Sequence, residues 1–263
     1  MQATRRDLLL LPIALAPALS RAQTGAALTI AAASDLRFAL DAVLQPFRAA
    51  HPSARIDAVY GSSGKLATQI RQGAPFDLFF SADHAYAQAL HDAGLTAGPP
   101  RPYAIGRLVS WSTNASLGRL GLAELVRHPA LKRLAIANPE HAPYGQRAVE
   151  ALRSQGLFDA VQARLVLGDN VSQAAQFVQT GAAQAGIVAA SLVMSPALAG
   201  QGAWTLLPQG WHTPLEQAVV LTRRGAAQPL AAELLRHLGT FEMVALMRRF
   251  GFALPAAAGP MVP

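Results

Sequence analysis

The sequence predicts an α/β protein of two lobes with a ligand cleft between them. Short buried apolar segments alternate with amphipathic segments, which is the pattern of βαβ units. The alternation stops at a Gly- and Pro-rich loop over 97–101 and then begins again. The 263 residues exceed one minimal domain and suffice for two lobes. Ligands of open α/β sheets bind beyond the carboxyl ends of the strands, which places the expected site in the cleft.

The first half of the chain predicts three strands, each followed by a helix. A buried strand covers 28–32, and the helix over 36–50 carries its apolar residues on one face. Pro46 should bend or shorten this helix, because proline lacks the amide hydrogen of the helical ladder. The remaining elements are strands over 55–60 and 77–81 and helices over 63–72 and 84–92.

The second half repeats the pattern and then closes with one strand and two helices. Its predicted strands cover 107–111, 133–137, 164–167, 185–188 and 218–222, and its helices cover 121–127, 146–155, 171–179, 230–238 and 242–250. We expect the last strand and helices to return to the first lobe, which leaves a two-stranded hinge. Lobe 1 is therefore expected from 23–105 plus 217–263, and lobe 2 from 106–216.

Residues 1–22 are typical of a secretory signal peptide. A charged start containing Arg5 and Arg6 precedes an apolar run, and Ser20 and Ala22 supply small residues at the cleavage site. The paired arginines resemble a twin-arginine signal, and an ordinary export signal is the alternative. The apolar run is too short to span a membrane. The mature protein is therefore expected in the periplasm.

Composition and motifs exclude several classes of function. The absence of cysteine excludes disulfides, thiol catalysis and cysteine-ligated metals. The formal net charge is +7, but no long basic run occurs and aromatic residues make up 6%, so we expect no nucleic-acid partner. No Gly-x-Ser-x-Gly elbow or carboxylate pair indicates an enzyme. We expect no catalytic residues, no cofactor and no protein-ligated metal cation.

Two strand-to-helix corners in the first lobe indicate an anion site. Ser34 and Ser63 each follow a short strand and open a helix, where free backbone N–H groups, the helix dipole and a hydroxyl favour an anion. Either serine is also a common helix cap. The segment around Lys65 is not a Walker A loop, because it lacks the first glycine and the final Ser or Thr. Asp35 caps its own helix, points to solvent or accepts a proton from a ligand.

Two corners in the second lobe complete the pattern. The segment 138–145 contains two prolines and a glycine, so His141 fits turn chemistry better than a metal-ligand or base role. Tyr144 either covers a ligand or packs over this turn. Asn170 is a candidate N-cap that exposes the N–H groups of Val171 and Ser172.

These corners, in this order, resemble the periplasmic molybdate-binding proteins of ABC importers. The most specific segments are Gly-Ala-Pro-Phe-Asp-Leu-Phe-Phe-Ser-Ala-Asp over 73–83 and Asn-Pro-Glu-His-Ala-Pro-Tyr-Gly over 138–145. The resemblance covers essentially the whole mature chain. It implies the type II periplasmic-binding-protein fold, a molybdate or tungstate ligand, a membrane permease as partner and a monomeric receptor.

The resemblance also implies which residues contact the oxyanion. Ser34 and Ser63 donate hydroxyl and N–H groups from the first lobe, and Tyr144 and Val171 donate backbone N–H groups from the second. Family members often carry a tyrosine after Gly-Ile-Val whose hydroxyl reaches the oxyanion. Ala189 stands at this position in this chain, so it is the fifth residue of the expected site but lacks that donor. The alternatives are a receptor for sulfate, phosphate or a small organic acid, and an exported enzyme on the same fold.

Overall fold

The computed structural model describes residues 26–254. The predicted signal peptide over 1–22 lies outside the described residues. Two separate five-stranded sheets, each covered by helices, form the architecture. We call the first sheet with its helices the first lobe, and the second sheet with its helices the second lobe.

The first sheet has the strand order β2-β1-β3-β10-β4. Strands β1, β2 and β3 are parallel, and β10 is antiparallel to both β3 and β4. The alternating side chains of β1 pack against α1 and α10 on one face and against α2 on the other. The bounds in this lobe are β1 Ala27–Ala33, α1 Arg37–Ala50, β2 Arg55–Gly61, α2 Ser63–Arg71, β3 Leu78–Ser81, α3 His84–Asp92, β4 Arg101–Gly106, β10 Leu215–Leu221, α10 Pro229–Leu238 and α11 Phe241–Arg249.

The second sheet has the strand order β7-β6-β8-β5-β9. Strand β6 is parallel to β7 and β8, whereas β5 is antiparallel to β8 and β9. One continuous apolar core, which includes the fully buried Trp111, fills this lobe. The bounds are β5 Leu108–Ser112, α4 Ala115–Gly118, α5 Leu122–Arg127, β6 Leu134–Ala137, α6 Pro143–Ser154, α7 Phe158–Val161, β7 Leu165–Gly168, α8 Val171–Gln179, β8 Ala185–Ala189, α9 Ala190–Val193 and β9 Ala203–Leu206.

The chain passes between the two sheets twice. It leaves the first sheet where β4 ends at Gly106 and enters the second where β5 begins at Leu108. It returns between Leu206 and Leu215, and Leu215 pairs with Gly106. The register of β10 shifts between Gln217 and Ala218, which is a bulge next to the crossing. The two chain connections between the sheets therefore lie side by side over a short stretch.

The predicted α/β class with two lobes is confirmed, and several elements differ from the prediction. Strands β4 and β9 were not predicted, because Pro102 and surrounding loop residues obscure the strand pattern. Helix α1 continues through Pro46 to Ala50, so the proline does not shorten it; Pro46 lies on the exposed side of the helix. Helix α6 begins at Pro143 instead of residue 146, since proline suits a first helical turn. Within residues 26–254, no helix is long and apolar enough to cross a bilayer.

Candidate functional site

A small cavity lies between the lobes where several strand ends and helix starts meet. Its first-lobe wall comes from the ends of β1 and β2, the start of α2 and the residue after β3, and its second-lobe wall comes from the starts of α6 and α8. The residues that line it are Ala33, Ser34, Asp35, Gly61, Ser62, Ser63, Ala82, Ala142, Pro143, Tyr144 and Val171. Four of the five residues expected to contact an oxyanion are thus brought to one place.

Ser34 and Ser63 form the first-lobe side with buried hydroxyl groups. The Ser63 Oγ accepts a hydrogen bond of 3.0 Å from the Ala82 backbone N–H. The Ser34 Oγ accepts one of 3.3 Å from the Ser172 backbone N–H of the second lobe. A hydroxyl that accepts from a backbone amide still has its own hydrogen to donate. Both hydroxyls are therefore held in position as donors.

Helix starts supply backbone donors on the second-lobe side. Val171 is the first residue of α8 and Tyr144 is the second residue of α6. The amides at these positions have no partner within their own helix, and they carry the positive end of the helix dipole. Asn170 caps α8, as the sequence predicted, by accepting a 3.1 Å hydrogen bond from the Gln173 N–H.

Ala189 is the expected site residue that the structure places elsewhere. It is fully buried as the last residue of β8, and it is not among the residues that line the cavity. Two residues later, Ser191 donates a 2.7 Å hydrogen bond from its hydroxyl to the Asp35 backbone carbonyl. This corner contributes to the contact between the lobes through Ser191.

Asp35 lies at the centre of a buried polar network beside the cavity. Its Oδ2 accepts hydrogen bonds of 3.0 Å from the Tyr144 hydroxyl and 2.6 Å from Gln217 Nε2. The Tyr103 hydroxyl in turn donates to Gln217 Oε1 at 2.6 Å. Burial raises the pKa of Asp35 to about 6, although these donors and the N–H groups of Asp35 and Leu36 lower it. Asp35 therefore neither caps its helix nor points to solvent.

The same burial affects the two tyrosines in this network. Desolvation raises the pKa of Tyr144 well above its usual value, and the neighbouring Asp35 raises it further. Desolvation likewise raises the pKa of Tyr103. Both phenols are consequently neutral hydrogen-bond donors at physiological pH.

A ring of polar contacts joins the lobes at the rim of the cavity. His141 binds the first lobe twice: its carbonyl accepts from the Gly64 N–H at 3.0 Å, and its Nδ1 lies 2.8 Å from Ser62 Oγ. Lys65 Nζ donates to Asp169 Oδ1. His141 thus takes part in the contact between the lobes, beyond the turn role expected from the sequence.

A largely buried ion pair holds another part of the interface between the lobes. Arg147 of α6 donates to the carboxylate of Asp83 at 2.7 Å, and the two side chains are 12% and 15% exposed. Removing Arg147 would leave the largely buried Asp83 carboxylate without its ion-pair partner. The pair therefore favours the closed arrangement of the lobes.

The electrostatic character of the cavity is set by dipoles and neutral donors. None of its lining residues is lysine, arginine or histidine, and its only carboxyl group is that of Asp35. No group of three or more His, Cys, Asp or Glu residues suited to a metal ion occurs in residues 26–254. Amides and hydroxyls of this kind suit a fully deprotonated oxyanion, which offers acceptors only.

Sequence reasoning did not identify Gln217, Tyr103, Ser191 and Gly106 as parts of this region. A Cβ atom on Gly106 would collide with the Tyr144 hydroxyl and would lie 2.8 Å from Gln217 Nε2. Gly106 is therefore required for the close approach of these side chains. The one local signal for this network was Gln217, a glutamine within an apolar strand. A buried side-chain amide needs hydrogen-bond partners, so its presence indicates other polar groups nearby.

The structure has two α/β lobes that are connected by two chain segments and enclose a small polar cavity. This architecture is that of a two-lobe solute-binding protein. The chain belongs to the family of bacterial extracellular solute-binding proteins, which it matches over residues 28–253. It is 36% identical over 194 residues to the molybdate-binding protein ModA of Rhodobacter capsulatus, which covers 73% of this chain and 75% of that protein.

Two further comparisons involve Azotobacter vinelandii. The molybdate-binding protein ModA of that organism is 36% identical over 197 residues, 74% of this chain and 77% of the relative. The solved structure of the periplasmic molybdate-binding protein of A. vinelandii superposes with a TM-score of 0.81 at 29% identity, covering 87% of this chain and 99% of the other. The resemblance that the sequence predicted is thereby confirmed.

Proposed function

We propose that this protein captures molybdate or tungstate outside the cytoplasm and delivers it to the membrane permease of an ABC importer. The observation that carries the proposal is one buried cavity into which three α-helix starts and two serine hydroxyls converge without any basic side chain. The relatives named for molybdate binding support the choice of ligand. Binding without catalysis, in a periplasmic monomer, is part of the same proposal.

In the proposed complex the oxyanion accepts hydrogen bonds from both lobes. The hydroxyl and N–H groups of Ser34 and Ser63 contribute from the first lobe, and the N–H groups of Tyr144 and Val171 contribute from the second. Each hydrogen bond to a charged ligand stabilises the complex by roughly 1.5–3 kcal/mol. Because donors from two lobes reach one anion, binding favours the closed arrangement.

The site also accounts for selectivity in the proposed complex. Molybdate, tungstate and sulfate each present four acceptor oxygens, so hydrogen-bond type alone does not separate them. We therefore expect the fit of the anion in the cavity to separate sulfate from the two larger metal oxyanions. Ala189 has no hydroxyl and lies outside the cavity lining, so this position contributes no side-chain donor to the proposed contact set.

Isothermal titration calorimetry on the purified mature chain tests the proposal. Molybdate and tungstate should each bind with a stoichiometry of one, and sulfate and phosphate should bind more weakly. Thermal unfolding under the same conditions should show a higher melting temperature with the ligand, because binding to the native state stabilises it. Binding of phosphate or sulfate in preference to both metal oxyanions would refute the proposed ligand class.

A further inference from the structure

The proposed function does not explain how the carboxyl group of Asp35 is accommodated next to a bound anion. Asp35 is 1% exposed and supplies the only carboxyl group among the residues that line the cavity. A carboxylate next to a bound dianion is destabilised by like-charge repulsion, and burial increases the cost. Yet the cavity offers no cation to offset either charge.

The groups that face Asp35 are neutral donors from several elements. Tyr144 on α6 and Gln217 on β10 bind its Oδ2, Tyr103 on β4 binds Gln217, and Ser191 on α9 binds its backbone carbonyl. Among the described residues, no lysine, arginine or histidine forms an ion pair with it. Charged and titratable side chains also stand at the rim of the cavity: His141 contacts the lining residue Ser62, and Lys65 and Asp169 pair with each other.

The two oxygens of the Asp35 carboxyl group differ. Oδ2 accepts two side-chain hydrogen bonds, whereas Oδ1 is buried and accepts no well-formed hydrogen bond among the described residues; the nearby N–H groups of Asp35 and Leu36 lower the pKa of the carboxyl group without forming such a bond to Oδ1. A buried oxygen without a partner is costly for an ionised carboxylate. A proton on Oδ1 removes the charge, leaves both bonds to Oδ2 intact and turns an acceptor into a donor.

We propose that Asp35 takes up one proton when the oxyanion binds and holds it on Oδ1, so that the complex contains a neutral carboxyl group at the cavity wall. The proton comes from solvent, and no other bond forms or breaks. This inference rests on the proposed function and adds to it that Asp35 adjusts the affinity of the site to pH. Asp35 is accordingly a specificity-determining residue that favours dianions without a proton of their own.

The direction of the pH effect follows from linkage. Without a ligand, burial already raises the pKa of Asp35 to about 6, and a bound dianion raises it further. Below the lower of these two values Asp35 is protonated in both states, and binding is independent of pH. Between the two values binding requires proton uptake, so the dissociation constant rises by up to about tenfold per pH unit, and above the higher value the dependence on pH ends.

Calorimetry with sodium molybdate at a series of pH values from about 5.5 to 8.5 tests the proposal. Molybdate carries no proton in this range, so any proton taken up binds to the protein. Titrations at one pH in buffers of different ionisation enthalpy give the number of protons directly. The wild type should bind more weakly as pH rises above about 6, and in that range it should take up as much as one proton per molybdate.

The variant Asp35→Asn provides the sharpest comparison. Asparagine has the shape of a protonated aspartate, accepts from Tyr144 and Gln217 through its oxygen and keeps a donor on the other side. Its dissociation constant should be independent of pH, with no proton uptake, and at alkaline pH it should bind more tightly than the wild type. Loss of molybdate binding by a variant that keeps its melting temperature would overturn the proposal, because it would show that the ionised carboxylate is needed.

Two rim variants separate Asp35 from other titrating groups. His141→Asn and Asp169→Asn each remove one ionisable group at the rim, and both variants should keep the pH slope of the wild type. A slope that disappears in His141→Asn and persists in Asp35→Asn would assign the proton to the imidazole and overturn the proposal.

Tyr144→Phe gives a second measurement that does not alter the carboxyl group. This substitution keeps the backbone N–H and removes a donor that lowers the pKa of Asp35. The pH at which affinity begins to fall should therefore move upward. Molybdate binding with a flat pH profile in the wild type would refute the proton uptake and leave the proposed function intact. No molybdate binding at any pH, in wild type and Asp35→Asn alike, would refute both.

Discussion

The Tyr144 hydroxyl of the second lobe donates a 3.0 Å hydrogen bond to Asp35 Oδ2 of the first lobe, and both residues line the same cavity. The backbone of Tyr144 stands at a helix start in the proposed anion site, while its side chain joins the lobes. Tyr144 therefore connects the proposed binding site, through its backbone, with the closed arrangement of the lobes, through its side chain. Any change to this bond should affect both stability and binding.

Replacing Ser34 or Ser63 by alanine should weaken molybdate binding by roughly 1–3 kcal/mol, about 5- to 150-fold in the dissociation constant. The reason is the loss of a hydroxyl donor in a cavity that has no basic side chain. Ser63→Ala should in addition lower the melting temperature, because the Ala82 N–H loses its acceptor. Calorimetry and thermal unfolding measure the two effects, and Ser53→Ala on an exposed turn is the matched control. If the variants keep their affinity for molybdate but have lowered melting temperatures, both serines have a structural role only.

Replacing Gly64 by alanine should hinder closure of the lobes. An added Cβ would lie 2.7 Å from the His141 backbone oxygen, which the Gly64 N–H binds from across the cleft. Small-angle scattering should show a smaller radius of gyration with molybdate in the wild type and a weaker response in this variant. Gly98→Ala, where an added Cβ meets no atom within 4 Å, serves as the control. An equal response in Gly64→Ala and wild type would contradict this role of the contact.

Replacing Gly106 by alanine should destabilise the protein through a collision with the Tyr144 hydroxyl. Overpacking of this kind typically costs about 1–3 kcal/mol. The loss should be smaller when Tyr144 is phenylalanine, since the hydroxyl is then absent. A double-mutant cycle measured by urea unfolding gives the coupling between the two positions. If the effects of the two substitutions on the free energy of unfolding are strictly additive, the contact of the added Cβ with Gln217 dominates instead of its collision with Tyr144.

Replacing Asp35 by asparagine should change how stability depends on pH. Burial raises the pKa of folded Asp35 from 3.8 to about 6, so the wild type loses stability as pH rises between these values, by about 3 kcal/mol in total. The variant lacks this loss. The difference in unfolding free energy, variant minus wild type, should therefore grow from about pH 4 to pH 7 and then level off.

Urea unfolding of the ligand-free proteins at several pH values measures that difference. Glu150, whose pKa is lowered by hydrogen bonds to Thr213 and by Arg147, titrates in both proteins and cancels in the comparison. Parallel pH profiles for the two proteins would mean that Asp35 keeps an ordinary pKa in the folded state. That result would also remove the electrostatic support for proton uptake on binding.

Local sequence patterns predicted much of the fold. The helices His84–Asp92 and Val171–Gln179 coincide with their predicted bounds, because apolar periodicity and caps such as Asn170 act over a few residues. Strand β4 was not predicted, since its hydrogen bonds go to β10, more than a hundred residues later in the chain. A strand of that kind owes its existence to a distant partner that local pattern does not identify.

The sequence by itself determined the α/β class, the strand-to-helix corners and the candidates Ser34, Ser63, Tyr144 and Val171, because each depends on neighbouring residues. Tertiary structure alone decided the position of Ala189 and the surroundings of Asp35. Asp35 meets Tyr144 across 109 residues and Gln217 across 182. Burial and hydrogen bonding set the charge of a carboxyl group, and both arise only when distant segments pack together.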